Sequence, residues 1–151
     1  MNIIQAPNHI DNDKPILFLA GTIDNGNSYD WQSDLIKKLP NTIFSEFTVC
    51  NPRRDEWDES WTNDDPRMIA QIKWELRGME LAKHIIFNFL PESDSIVTML
   101  ELGLRLKENK EISIICPKEY KRSQNIITTA RFYGRLCYYS MEEFIDKIKN
   151  K

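Results

Sequence analysis

The chain contains the stretch His84-Ile-Ile-Phe-Asn-Phe-Leu90, followed by Pro91-Glu-Ser-Asp-Ser95 and then by Ile96-Val-Thr-Met-Leu-Glu-Leu-Gly-Leu104. The first part is a mostly apolar pattern typical of a buried strand, the second is a polar loop, and the third is an apolar helix that contains one carboxylate. In open α/β sheets, ligands bind in the crevice beyond the carboxyl ends of the strands. This stretch therefore predicts a site at the junction of strand and helix, with Glu101 as its main residue.

The same order of strand, loop and helix repeats on both sides of this stretch. Further strands are predicted over residues 15–20, 47–50, 111–117 and 136–139, and further helices over 29–39, 65–83, 125–132 and 141–149. This alternation predicts an α/β fold in which a five-stranded parallel sheet is covered by helices on both faces. We expect one domain over residues 1–151, with residues 1–14 as a loose tail.

Composition limits the kinds of partner that the protein can bind and the cellular compartment in which we expect it. The net charge is −3, and the basic residues are scattered among acidic ones, so no footprint for polymeric nucleic acid is present. Each of the three cysteines lies in an apolar strand pattern, which is typical of free thiols in a reducing compartment. No apolar run approaches the roughly 18 residues of a membrane span. We expect a soluble, cytoplasmic protein without membrane contact.

Several common chemistries lack their sequence signatures. The chain has no phosphate-binding G-x-x-x-x-G-K-[ST] loop and no G-x-G-x-x-G turn after the first strand. Its two histidines, His9 and His84, and its cysteines have no metal-ligand spacing. We therefore expect no metal and no cofactor, and carboxylate chemistry is what remains.

Glu101 lies in an otherwise apolar helix, where an unpaired charge is costly. Thr98 precedes it by three residues and shares its helix face. One interpretation is a glutamate on the helix surface. The other is a carboxylate nucleophile that attacks an electrophilic carbon, as in glycosyl transfer.

The segment after the second strand, residues 51–61, is rich in charge and indole. Arg53 and Arg54 could bind a carboxylate or phosphate, and Trp57 could cover a base. Alternatively, the arginines pair with Asp55, Glu56, Asp58 or Glu101 and shape the loop. Composition does not decide between these two interpretations.

Four segments occur in order between residues 15 and 133: Phe18-Leu-Ala-Gly-Thr-Ile-Asp24, Asn51-Pro-Arg-Arg-Asp-Glu-Trp57, Gln71-Ile-Lys-Trp-Glu75 and Thr98-Met-Leu-Glu-Leu-Gly-Leu104. Together they resemble the nucleoside 2-deoxyribosyltransferase family, in its branch of nucleoside 2-deoxyribosyltransferase-like proteins. The resemblance implies a flavodoxin-like three-layer αβα sandwich. It also implies cleavage of the N-glycosidic bond of a 2′-deoxyribonucleoside, with transfer of the sugar to another nucleobase.

The resemblance also implies roles for individual residues. Glu101 matches the family nucleophile, and Glu75 matches an acidic residue that orients or protonates the base. Ser95 stands where the family has a second aspartate, although Asp94 is adjacent. Asn125 matches an asparagine supplied by a neighbouring subunit, which implies a homo-oligomer, a dimer or larger, with shared active sites.

The expected substrates are nucleosides or nucleotides and free nucleobases. The residues predicted to contact them, besides the two glutamates, are Gly21, Thr22, Asp24, Asn51, Arg53, Arg54, Trp57, Asp94, Ser95, Thr98 and Asn125. Two alternatives stay open at this point: a hydrolase of deoxynucleoside 5′-monophosphates, and a non-catalytic nucleotide-binding or sensing module. A receiver domain is a weaker alternative, because it needs paired acidic residues directly after the first strand.

Overall fold

The computed structural model describes residues 1–149. Its strands and longer helices are, in chain order, β1 (Asn2–Gln5), β2 (Ile16–Gly21), α1 (Trp31–Lys38), β3 (Thr48–Asn51), α2 (Pro66–Leu81), β4 (His84–Asn88), α3 (Ile96–Arg105), β5 (Glu111–Ile115), α4 (Ser123–Phe132), β6 (Leu136–Tyr138) and α5 (Met141–Ile148). All strands are parallel, in the order β1-β3-β2-β4-β5-β6. Without β1, this is the strand order of the flavodoxin-like fold, so the predicted fold class is confirmed.

The sheet has six strands rather than the predicted five, because the start of the expected loose tail forms a strand. Residues 2–5 pair with β3 along its outer edge, where Ile4 is buried and Ile3 is half-exposed. Farther on, the Asn8 carbonyl accepts a hydrogen bond from the Trp74 indole at 2.7 Å. A four-residue strand with polar ends has no periodicity of its own, and it forms here because β3 offers an unpaired edge.

The two central strands, β2 and β4, separate two apolar layers. In β2, Phe18 and Ala20 face a core formed with α2, α3 and α4, whereas Leu17 and Leu19 face a core formed with α1 and α5. Successive strand residues point to opposite faces, so a strand covered on both sides must be apolar throughout. None of the helices within residues 1–149 is long and apolar enough to cross a membrane.

Gly21 ends β2 at the level where β4 also ends. Its φ is 152°, and a Cβ atom there would lie 2.4 Å from the Asn88 carbonyl oxygen and 2.7 Å from the Trp31 ring. Only glycine fits this close approach. The next residue, Thr22, donates its backbone N–H to the same Asn88 oxygen at 3.2 Å. The loops after β2 and β4 therefore start side by side at one edge of the sheet.

The helix that follows β3 begins at a defined cap. The Asp65 side chain accepts a hydrogen bond from the Arg67 backbone N–H at 2.8 Å, and Pro66 occupies the first position, where its missing N–H costs nothing.

Candidate active site

A cleft of about 580 Å³ opens at the carboxyl ends of β2 and β4, with α2 and α3 on its flanks. This is where the strand order reverses, and crevices at such positions bind ligands in open α/β sheets. Two side-chain hydrogen bonds join the loops that form its floor. Thr22 Oγ1 lies 2.6 Å from Ser95 Oγ, and Ser93 Oγ donates to Asp24 Oδ1 at 2.9 Å.

Three residues of the cleft wall have left-handed backbone conformations without being glycine. They are Asp24 with φ 50°, Asn25 with φ 53° and Ser95 with φ 49°. Such conformations cost on the order of 1 kcal/mol each and persist where surrounding contacts hold them. Here the inter-loop hydrogen bonds hold two of the three, Asp24 and Ser95. Strain that gathers around one cleft is typical of a functional site.

Glu75 on α2 and Glu101 on α3 both line the cleft. Gln71, one turn before Glu75, donates its side-chain amide to Glu75 Oε1 at 2.9 Å. Glu101 is only 8% exposed, and among residues 1–149 no hydrogen bond reaches its carboxylate. A buried carboxylate without a hydrogen bond is costly unless it takes up a proton or binds a ligand.

Both carboxyl groups hold their protons more tightly than usual. Burial raises the pKa of Glu101 to about 8, the negative charge of Glu75 adds to the rise, and Arg105 opposes it. Burial also raises the pKa of Glu75 to about 7, against the hydrogen bond from Gln71. Two interacting carboxyl groups of this kind titrate as a pair and share one proton near neutral pH. Such a pair can supply an acid from one member and a base or nucleophile from the other.

Two indole rings form an aromatic wall of the cleft. Trp57 and Trp61 both line it, with their ring centroids 6.0 Å apart. The guanidinium groups of Arg54 and Arg67 stack on Trp61 at 5.0 and 4.6 Å from its centroid. These cation–π contacts hold the loop after β3 against the start of α2.

Arg53 bonds within the protein rather than lining the cleft. Its guanidinium donates to the carbonyl oxygens of Ser28 at 2.7 Å, Gly26 at 2.8 Å and Tyr29 at 3.3 Å, and to the Ser28 hydroxyl at 3.2 Å. It also lies 3.8 Å from Asp30, whereas no ion pair joins it to Glu101 within the described chain. These bonds shape the loop between β2 and α1.

The structure brings most of the predicted site residues together. Those that line the cleft are Gly21, Thr22, Asp24, Trp57, Glu75, Asp94, Ser95, Thr98 and Glu101. Four others do not line it: Asn51, Arg53, Arg54 and Asn125. Asn51 is buried and accepts a hydrogen bond from the Arg53 backbone N–H at 3.0 Å. Asn125 is exposed in the first turn of α4.

Asp94 and Ser95 differ in how they face the cleft. The Asp94 carboxylate forms an ion pair with Lys121, and its backbone carbonyl accepts a hydrogen bond from the Tyr120 hydroxyl at 2.7 Å. Ser95 is buried, and its hydroxyl is used in the contact with Thr22. Asp94 is therefore bonded to residues just before α4, while Ser95 forms part of the cleft floor.

Sequence reasoning missed several lining residues, of which Gln71 and Trp61 are the most informative. Gln71 is 2% exposed and also donates to the Pro52 carbonyl at 2.8 Å. The available signal was its spacing, since a polar residue four positions before Glu75 shares its helix face. Trp61 carried no such signal, because it lies in a loop without helical spacing and its place depends on stacking with Arg54 and Arg67.

The fold and the paired carboxyl groups define a flavodoxin-like protein with a carboxylate site at the reversal of its strand order. Residues 14–120 match the family described as nucleoside 2-deoxyribosyltransferase like. The match covers well over half of the chain, and the protein belongs to this family. No curated protein matches the chain.

The raised pKa of Glu101 predicts a pH-dependent gain in stability from Glu101→Gln. Between the ordinary glutamate pKa and about 8, the folded state holds a proton that the unfolded state has lost, so the unfolding free energy of the wild type falls as pH rises. Glutamine removes this fall. In urea titrations, the variant should gain on the order of 2 to 4 kcal/mol over wild type between pH 5 and pH 9. Glu142→Gln, at an exposed position of α5, should give no such gain, and parallel pH profiles for wild type and Glu101→Gln would contradict a raised pKa of Glu101.

Proposed function

We propose that this protein cleaves the N-glycosidic bond of 2′-deoxyribonucleosides and transfers the deoxyribosyl group to another nucleobase through a covalent intermediate on Glu101. The observation that supports this proposal best is the pair of glutamates in one cleft, with both pKa values raised. Glycosyl transfer with retention needs two carboxyl groups, one as nucleophile and one as acid and then base. Family membership supports the same chemistry.

The higher pKa of Glu101 places the shared proton on Glu101 in the empty cleft, so the first half-reaction requires this proton to pass to Glu75 and leave Glu101 ionised. As the bond between C1′ and the base nitrogen breaks, positive charge develops on the sugar beside Glu101, which favours this arrangement of the proton. A Glu101 oxygen then bonds to C1′, and the Glu75 proton passes to the leaving base. Gln71 holds Glu75 Oε1 at 2.9 Å, which leaves Oε2 to carry that proton.

In the second half-reaction, a ring nitrogen of the incoming base attacks C1′ and the bond to Glu101 breaks. Glu75, now ionised, accepts the proton that the incoming base loses, so the pair returns to its starting state. Water in place of the base would give hydrolysis. The aromatic wall of Trp57 and Trp61 supports base binding, because flat apolar rings stack well on indole.

The arginines favour nucleosides over 5′-monophosphates as substrates. Arg53 directs its donors to loop carbonyls, and Arg54 stacks on Trp61. Neither lines the cleft. Both line a smaller pocket of about 340 Å³ that shares Asn25 and Trp57 with the cleft, but there the Arg53 guanidinium is already bonded to carbonyl oxygens of the protein.

Turnover measurements test this proposal. Wild type should exchange bases on 2′-deoxynucleosides at least as fast as on the matching 5′-monophosphates. Glu101→Ala should lower kcat/KM by at least about 10³-fold, because the nucleophile is lost. Glu75→Gln should lower it by about 10²-fold or more, and by less for a base that leaves without a proton. Glu142→Gln, on the opposite face of the sheet, should keep wild-type rates. A Glu101→Ala protein with normal turnover would refute the mechanism.

We further propose that two copies of the chain pack through α3 and α4. Ile96, Val97 and Leu100 on α3 are 70, 60 and 64% exposed, and Phe132 on α4 is 81% exposed. Exposed apolar groups in such a patch mark an association surface. Ile96 and Val97 also line the cleft, so a second copy on this patch would border the site. Asn125, exposed on α4, would then reach the sugar of the neighbouring subunit.

Sedimentation and subunit mixing test this assembly. Leu100→Glu should convert the dimer to a monomer and abolish transfer, because it buries a charge in the interface. Ile43→Glu, at an apolar residue 56% exposed outside the patch, is the matched control. Mixing inactive Glu101→Ala and Asn125→Ala chains should restore about a quarter of wild-type activity, since half of the dimers are mixed and each mixed dimer has one intact site. A fully active monomer would contradict the shared site.

A further inference from the structure

Gln71 lines the cleft and has a side-chain acceptor without a partner. Its amide nitrogen donates to the Pro52 carbonyl at 2.8 Å and to Glu75 Oε1 at 2.9 Å. Its amide oxygen Oε1 is buried and accepts no hydrogen bond within the described residues. A buried acceptor without a donor costs free energy, which a ligand with a suitably placed N–H group would recover.

The orientation of the Gln71 amide is determined by Pro52. A carbonyl oxygen can only accept a hydrogen bond, so the NH₂ group must face Pro52 whatever the protonation state of Glu75. Turning the amide over would place two oxygen atoms against each other and would lose both hydrogen bonds. Gln71 therefore cannot change from acceptor to donor at low cost, and a ligand must adapt to it.

We propose that Gln71 is a specificity-determining residue that selects 6-aminopurines over 6-oxopurines, an inference that rests on the proposed function. Glu75 and Gln71 are hydrogen-bonded neighbours, so they present a donor and an acceptor side by side. In a purine, N7 accepts a proton, and the adjacent group on C6 is NH₂ in adenine but oxygen in hypoxanthine and guanine. Adenine matches both groups, with Glu75 donating to N7 and the amino group donating to Gln71 Oε1.

A 6-oxopurine mismatches this pair of groups. With N7 on Glu75, its O6 atom would face Gln71 Oε1, so two acceptors would meet in a buried site. A site built to hydrogen-bond an N–H group discriminates strongly against an analogue that lacks it. The expected preference for adenine over hypoxanthine is at least about tenfold in affinity.

Calorimetric titration of free adenine and free hypoxanthine into the full chain tests this inference. The wild type should bind adenine at least about tenfold more tightly, and Gln71→Met, which keeps the side-chain volume, should reduce the ratio to near one. Gln32→Met is the matched control. Gln32 is the other fully buried helical glutamine of the described chain, lies outside the cleft, and should leave the ratio unchanged when replaced.

The outcomes separate this inference from the proposed function. Equal affinities in wild type, a preference for hypoxanthine, or a preference that persists in Gln71→Met would overturn the role of Gln71, even in a protein that transfers deoxyribose. An adenine preference that depends on Gln71, in a protein without turnover on any deoxynucleoside, would support the role of Gln71 and refute the transfer reaction. Binding of neither base would overturn both. Circular dichroism and thermal unfolding of each variant show whether a lost preference reflects a lost fold.

Discussion

Two carboxyl groups buried in one cleft are the constraint on which the rest of the site depends. Glu75 and Glu101 cannot both be ionised at low cost, because burial raises the pKa of each and the negative charge of Glu75 raises the pKa of Glu101 further. The protein places them on separate helices, α2 and α3, whose positions are set by β2 and β4. The close approach at Gly21 and the hydrogen bonds between the two loops hold these strands and helices in register. The proton shared by the pair is then available for acid and base steps at neutral pH.

The parts of the fold that could be predicted are those whose burial produces a clear apolar pattern in the local sequence. β2 and β4 are covered on both faces, so residues 16–20 and 85–87 are apolar without interruption and stand out as strands. β1 was missed, because residues 2–5 form a strand only by pairing with the free edge of β3. A prediction from local pattern cannot include a partner 46 residues away.

The candidate site also has residues that the sequence could predict and residues that it could not. Glu101 was noticeable as a charge in an apolar helix, and the structure shows it buried in the cleft with Glu75. The importance of Gln71 depends on hydrogen bonds to Pro52 and Glu75, and sequence shows only one of these two neighbours at helical spacing. Arg53 bonds to backbone carbonyls of another loop, so no pattern of opposite charges could have indicated its partners. The spacing of residues in the sequence does not show contacts between a side chain and the backbone of a segment far along the chain.

The covalent role of Glu101 is the central claim, and mass spectrometry of a trapped intermediate tests it most directly. A 2′-fluorinated deoxynucleoside should react slowly, because the fluorine destabilises the positively charged sugar in the transition state. After incubation and digestion, we expect one fluorinated sugar attached to the peptide that contains Glu101, and none in the Glu101→Ala protein. Turnover of ordinary deoxynucleosides without such an adduct, or an adduct on another residue, would contradict it.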